Sequence, residues 1–136
     1  MKTLLAILLI TVTSGFVPPK DNIIGAWKCV RSKYGNAEVK DRSDQDVYKI
    51  FTATRWSTAF FNKAEKKLEG AGGGTYTLKD EKYAETVEYY SWDDEAVGKT
   101  FTFTLKIESG MLHQTGTMEY KGDPNYPIEE WFKRVD

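Results

Sequence analysis

Apolar residues along this chain recur mostly at every second position, the period of an extended strand with one buried face. The pattern is plainest at residues 99–108, where Phe101, Phe103, Leu105 and Ile107 alternate with Thr100, Thr102, Thr104 and Lys106. Clusters of Gly, Asp and Asn interrupt the runs and mark turns. The alternation predicts eight strands, at residues 25–33, 47–55, 56–63, 75–79, 83–91, 99–108, 111–120 and 128–135. The segment 60–68 comes nearest to a helix, but it is short and uncapped. Ser109-Gly110 reads as a two-residue hairpin turn, and Gly122-Asp123-Pro124-Asn125 as a turn cluster.

Short connections between successive strands imply an antiparallel meander. Eight such strands close into an all-β, up-and-down antiparallel barrel with no free edge. One connection is long, residues 34–46, and it reads either as a binding loop or as a merely solvated charged loop.

Parity then assigns the inner wall. Strand 99–108 points Phe101, Phe103, Leu105 and Ile107 inward. Strand 83–91 points Tyr83, Glu85, Val87 and Tyr89 inward, and strand 75–79 points Tyr76 and Leu78. The last strand points Ile128, Glu130, Phe132 and Arg134 inward. Strand 111–120 can be read with either Met111, His113 and Thr115 or Leu112, Gln114 and Gly116 inside. Charges on an aromatic inner wall require partners, and Glu85 is the candidate partner for Arg134. The pair would either plug one barrel end or anchor a ligand's polar head.

The N-terminus changes the picture of where the protein works. Lys2, the apolar run from Leu4 to Ile10, and Thr11, Thr13, Ser14 and Gly15 have the layout of a secretory signal. The run is short for a bilayer span, which takes roughly 20 residues. Residues 1–20 are therefore expected to be a signal peptide and 21–136 the exported domain, periplasmic or secreted. Cys29 is the single cysteine, so no internal disulfide can form and the core must supply stability. The formal net charge is −1 with both signs interspersed, which gives no footprint for nucleic acid or an anionic membrane surface.

Gly25-Ala26-Trp27 matches the G-x-W signature of lipocalins and their calycin relatives. The resemblance implies that Trp27 closes the barrel floor and that Arg134, on the last strand, covers it. More widely, the mature chain resembles a family of exported bacterial lipocalin-like domains of unknown function. The matching stretches are residues 73–78 (GGTYTL), 83–86 (YAET), 97–100 (VGKT) and 130–135 (EWFKRV). The chain departs from transport lipocalins in lacking both a disulfide and an evident helix before the last strand.

Candidate chemistry is sparse. His113 is the only histidine and cannot form a metal cluster by itself, although a single His can ligate haem. Gly72-Gly73-Gly74 lacks the Lys-Ser/Thr ending of a phosphate loop and reads as a bulge or hinge. Cys29 shares strand parity with Trp27 and Arg31 and reads as a buried thiol. Glu85 and Glu130 could form an acid/base pair, but nothing in the spacing brings them together.

The leading expectation is a binding module for a small apolar or amphipathic molecule, not an enzyme. Tyr76, Tyr83, Tyr89, Phe101 and Phe103 would give contact area. Glu85, Glu130, Arg134 and His113 would orient a polar end. No metal and no cofactor is called for. The alternative is a filled barrel that binds a macromolecule through its loops or outer surface, and a calycin-type enzyme is a third reading.

Overall fold

The computed structural model describes residues 20–136, so the expected signal peptide, residues 1–20, lies outside the described residues but for Lys20. A short 3-10 turn, Lys20–Ile23, precedes nine strands. They are β1 (Gly25–Tyr34), β2 (Lys40–Asp41), β3 (Gln45–Phe51), β4 (Arg55–Asn62), β5 (Lys67–Lys79), β6 (Lys82–Tyr90), β7 (Thr100–Glu108), β8 (Met111–Tyr120) and β9 (Asp123–Arg134). From β3 to β9 successive strands pair antiparallel in sequence order, and β1 pairs antiparallel with both β3 and β9. That double pairing closes a barrel of eight long strands, as the alternation predicts. The two-residue β2 pairs with Arg31 and Ser32, where β3 no longer reaches β1. The long connection is thus folded back into the wall.

Turn chemistry sets several boundaries. Ser109 and Gly110 both take positive φ (51° and 74°), the conformation that matches hairpin twist. Lys121 and Gly122 do the same (47° and 82°), so β9 begins at Asp123 and not at residue 128. Pro124 is accommodated because the β8–β9 register slips between Met118 and Tyr120. β5 starts at Lys67, well before residue 75, because glycines give no side-chain alternation to read. Residues 60–68 contain no helix: they end β4, turn, and start β5.

Two bulges alter the inward face. In β6, Gly73 pairs with Tyr89 and Gly74 with Val87, leaving Glu88 as an extra residue. The slip reverses parity, so Tyr89 turns outward (48% exposed) and Tyr90 turns in. Gly74 permits this, since a Cβ there would run into the Thr86 carbonyl. In β1 the register shifts between Cys29 and Arg31, so Arg31 leaves the face of Trp27 and Cys29. Ser32 and Tyr34 take its place inside.

One barrel end is packed solid. Trp27, Phe51, Tyr76, Tyr83, Leu105, Leu112 and Phe132 are buried there. Phe51, Tyr76 and Tyr83 form a triangle of ring contacts at 5.4, 5.7 and 5.9 Å between centroids. Ile107 keeps the inward parity of β7 but is 44% exposed, because it lies two residues before the hairpin turn, where the wall ends.

Candidate functional site

The barrel's closed end is built around Trp27. Its indole N–H donates to the Ile23 carbonyl at 2.8 Å, which ties the N-terminal 3-10 turn across the floor. The Arg134 guanidinium lies 4.4 Å from the Trp27 ring and donates to the Ile24 carbonyl at 2.8 Å and to the Asn22 carbonyl. Trp27 and Arg134 are thus in contact at this end of the barrel, beside the N-terminal 3-10 turn. Arg134 does not reach the inner wall, and it forms no pair with Glu85. Its charge is spent on the rim, where the strand has run out of barrel.

Glu85 instead pairs with Lys49 of β3. The Nζ–Oε2 distance is 3.0 Å, and both side chains are almost fully buried. Lys49 also donates to Gln114 Oε1 at 2.7 Å, and the Tyr83 hydroxyl donates to Glu85 Oε2 at 2.7 Å. The ammonium sits 5.0 Å from the centroids of both Trp56 and Tyr83. A buried ion pair needs this much support to offset desolvation. Sequence reading missed Lys49, although its parity with Val47 and Phe51 was the available signal: a lysine on an apolar face.

Above this layer is a cavity of about 160 Å³. Lys49, Glu85, Gln114 and Glu130 form its polar floor, with Trp56, Thr58, Phe103, Met118 and Ile128 around them. Tyr34, Phe60, Tyr90, Trp92, Tyr120 and Tyr126 make an aromatic collar towards the other barrel end. The collar rings touch one another: Phe60–Trp92 at 5.0 Å, Tyr90–Trp92 at 4.9 Å and Tyr120–Tyr126 at 4.8 Å. Gly70 and Gly72 make room for it, because a Cβ at either would overlap the Trp92 or Tyr90 ring. The glycine-rich stretch makes room for these rings and carries the register slip between Gly73 and Gly74.

Two polar groups on this lining are incompletely satisfied. The Trp56 indole N–H is buried and has no hydrogen-bond partner among the described residues. Among the described residues Glu130 accepts one bond, from the Tyr34 hydroxyl to Oε1 at 2.6 Å, and has no cation within ion-pair distance. Burial pushes its carboxyl above the ordinary range, while Lys49 and the Tyr34 hydrogen bond pull it back. The Tyr34 and Tyr83 hydroxyls are likewise raised by burial, so both stay protonated donors.

The remaining expected site residues divide. Phe103, Glu85 and Glu130 line the cavity, whereas Tyr76, Tyr83 and Phe101 lie in the packed core. Tyr89 is outside, through the β6 bulge. His113 is outside as well: it stacks on Trp131 at 4.9 Å between Glu129 (3.0 Å) and Glu108 (3.4 Å). Arg31 covers the Trp131 ring at 4.6 Å. Facing away from the interior, His113 cannot orient a ligand in the barrel or ligate a haem there. Cys29 is buried, and burial raises its thiol well above the ordinary value, which makes it unreactive. Among the described residues no group of three or more His, Cys, Asp or Glu is placed to hold a metal ion.

Solved structures share this architecture. A lipocalin-like protein from Bacteroides uniformis ATCC 8492 superposes with a TM-score of 0.55 at 17% identity, covering 84% of this chain and 99% of that one. An uncharacterized protein from Bacteroides eggerthii DSM 20697 gives 0.54 at 15% identity, covering 83% and 99%. A biogenic amine-binding protein gives 0.53 at 14% identity, covering 93% of this chain and 72% of that one. These likenesses establish the lipocalin-like fold. No curated protein matches the chain. Residues 22–136 match the profile of a domain of unknown function, DUF4488, and the chain belongs to that family.

Proposed function

We propose that this is an exported binding protein that holds a small amphipathic molecule in the upper half of its barrel. One observation carries the reading: an apolar and aromatic cavity ends on a few fixed polar groups, the usual make-up of a small-molecule site. Its volume is close to that of an engineered apolar cavity, about 150 Å³, that accepts benzene. A molecule of one ring with a short polar substituent therefore fits, and a long lipid does not. The likeness in fold to a biogenic amine-binding protein is consistent with a small-molecule ligand. Export rests on the apolar run from Leu4 to Ile10.

The test combines native mass spectrometry of undenatured protein with a thermal-shift screen of neutral single-ring compounds. Binding raises the melting temperature of the wild type. It does not do so in Met118→Trp, where a larger ring fills the cavity. No shift with any compound, or the same shifts in Met118→Trp, would contradict the proposal. The filled-barrel alternative would then gain ground.

A further inference from the structure

We infer that the cavity selects small protonated amines carrying one ring, with the Glu130 carboxylate as the counter-charge at its floor. The inference rests on the binding role proposed above and names the ligand's charge.

The argument is one of unmatched charge. Among the described residues lining the cavity Lys49 is the only cation, and it is already committed to Glu85 and Gln114. An anionic ligand would have to break that pair and would face Glu130 as well. Glu130 has no such partner. Its Oε1 takes the Tyr34 hydroxyl, and its Oε2 accepts no hydrogen bond from any described residue. The charged and titratable groups around it come from four directions. They are Lys49 on β3, Glu85, Tyr83 and Tyr90 on β6, Tyr34 and Cys29 on β1, and Arg42 on the connection between β2 and β3. Arg42 is held elsewhere, by Ser32 Oγ at 2.6 Å and Gln45 Oε1 at 2.8 Å, with its guanidinium over the Tyr34 ring. An ammonium on the ligand would supply the missing ion pair in a site where water competes poorly.

The collar favours the same charge. Faces of Tyr, Phe and Trp attract cations, and rings grouped around one opening are a recurring means of recognising ammonium groups. Trp92, Tyr90, Phe60 and Tyr34 line the same cavity as Glu130. They would also stack against the ligand's own ring.

Isothermal titration calorimetry with benzylamine, benzyl alcohol and benzoate at pH 8 separates the possibilities, since the three differ chiefly in the charge of the substituent. Benzylamine should bind about ten-fold or more tightly than benzyl alcohol, and benzoate weakest, as expected for a charge-assisted hydrogen bond. In Glu130→Gln, which can still accept the Tyr34 hydroxyl bond, the amine should lose about ten-fold while the alcohol stays within about two-fold. Equal affinities, a preference for benzoate, or an unchanged amine affinity in Glu130→Gln would overturn the amine assignment and leave the cavity reading standing. Failure of all three to bind the wild type would overturn both. The wild-type comparison decides the charge even if the variant does not fold.

Discussion

Replacing Lys49 with Met tests the polar layer that divides the barrel. Met has nearly the length of Lys, so the substitution removes charge while leaving little void. The loss strands the Glu85 carboxylate, whose side chain is 9% exposed and would retain only the Tyr83 hydroxyl. Breaking a buried pair from one side costs about 3–5 kcal/mol, because the remaining charge is uncompensated. Glu85→Gln added to Lys49→Met should recover about 2–3 kcal/mol of that loss, since Gln needs no counter-ion and can still accept from Tyr83. Urea unfolding at pH 7, followed by tryptophan fluorescence, measures both changes and the coupling between them. A single variant that costs less than about 1 kcal/mol, or a double variant whose loss is the sum of the two singles, would refute the reasoning.

Other expectations follow from particular contacts. Gly74→Ala forces a Cβ against the Thr86 carbonyl, which is backbone and cannot swing away, and should lower stability by about 1–3 kcal/mol in the same unfolding assay. Arg134→Ala removes a cation–π contact and two carbonyl bonds and should cost about 1–2 kcal/mol, with faster amide exchange at the N-terminal end of β1; unchanged exchange would deny it the floor role. Burial lifts the folded Glu130 pKa above its unfolded value, so the native state holds the proton more tightly. Stability should therefore fall as pH rises through the folded value. Glu130→Gln should flatten that decline in melting temperature between pH 4 and 8, and an identical decline in the variant would contradict the assignment. Cys29 should resist a thiol reagent in the native protein and react fully in urea; prompt native labelling would show that it is accessible.

Barrel closure and most strand positions were legible because the alternation in residues 99–108 and 83–87 is unbroken and one face is plainly apolar. That rule alone points Glu85, Glu130 and Phe103 inward, where they line the cavity, and the G-x-W resemblance singles out Trp27 with Arg134, which are in contact. Failures trace to bulges and to chain ends. One extra residue, Glu88, exchanges Tyr89 for Tyr90, and no local sequence feature announces it. A second slip turns Arg31 away from Trp27. Arg134 has the correct parity, yet at the end of a strand parity no longer means interior. Parity on the last strand offers Arg134 as the partner of Glu85, although Lys49 stands between Val47 and Phe51 on an apolar face. Collar residues such as Tyr34 and Trp92 sit at strand ends and in connections, where alternation gives no information.

The central claim is that the interior above Lys49 and Glu85 is a place for a ligand. The most direct measurement is a two-dimensional NMR titration of the labelled domain with a single-ring ligand such as benzylamine. The account predicts that the cross-peaks that move belong to Thr58, Phe103, Gln114, Met118, Ile128 and Glu130, with Trp56 gaining a changed indole N–H signal. Movements confined to the outer face around His113, Trp131 and Tyr89, or no movement at all, would contradict it.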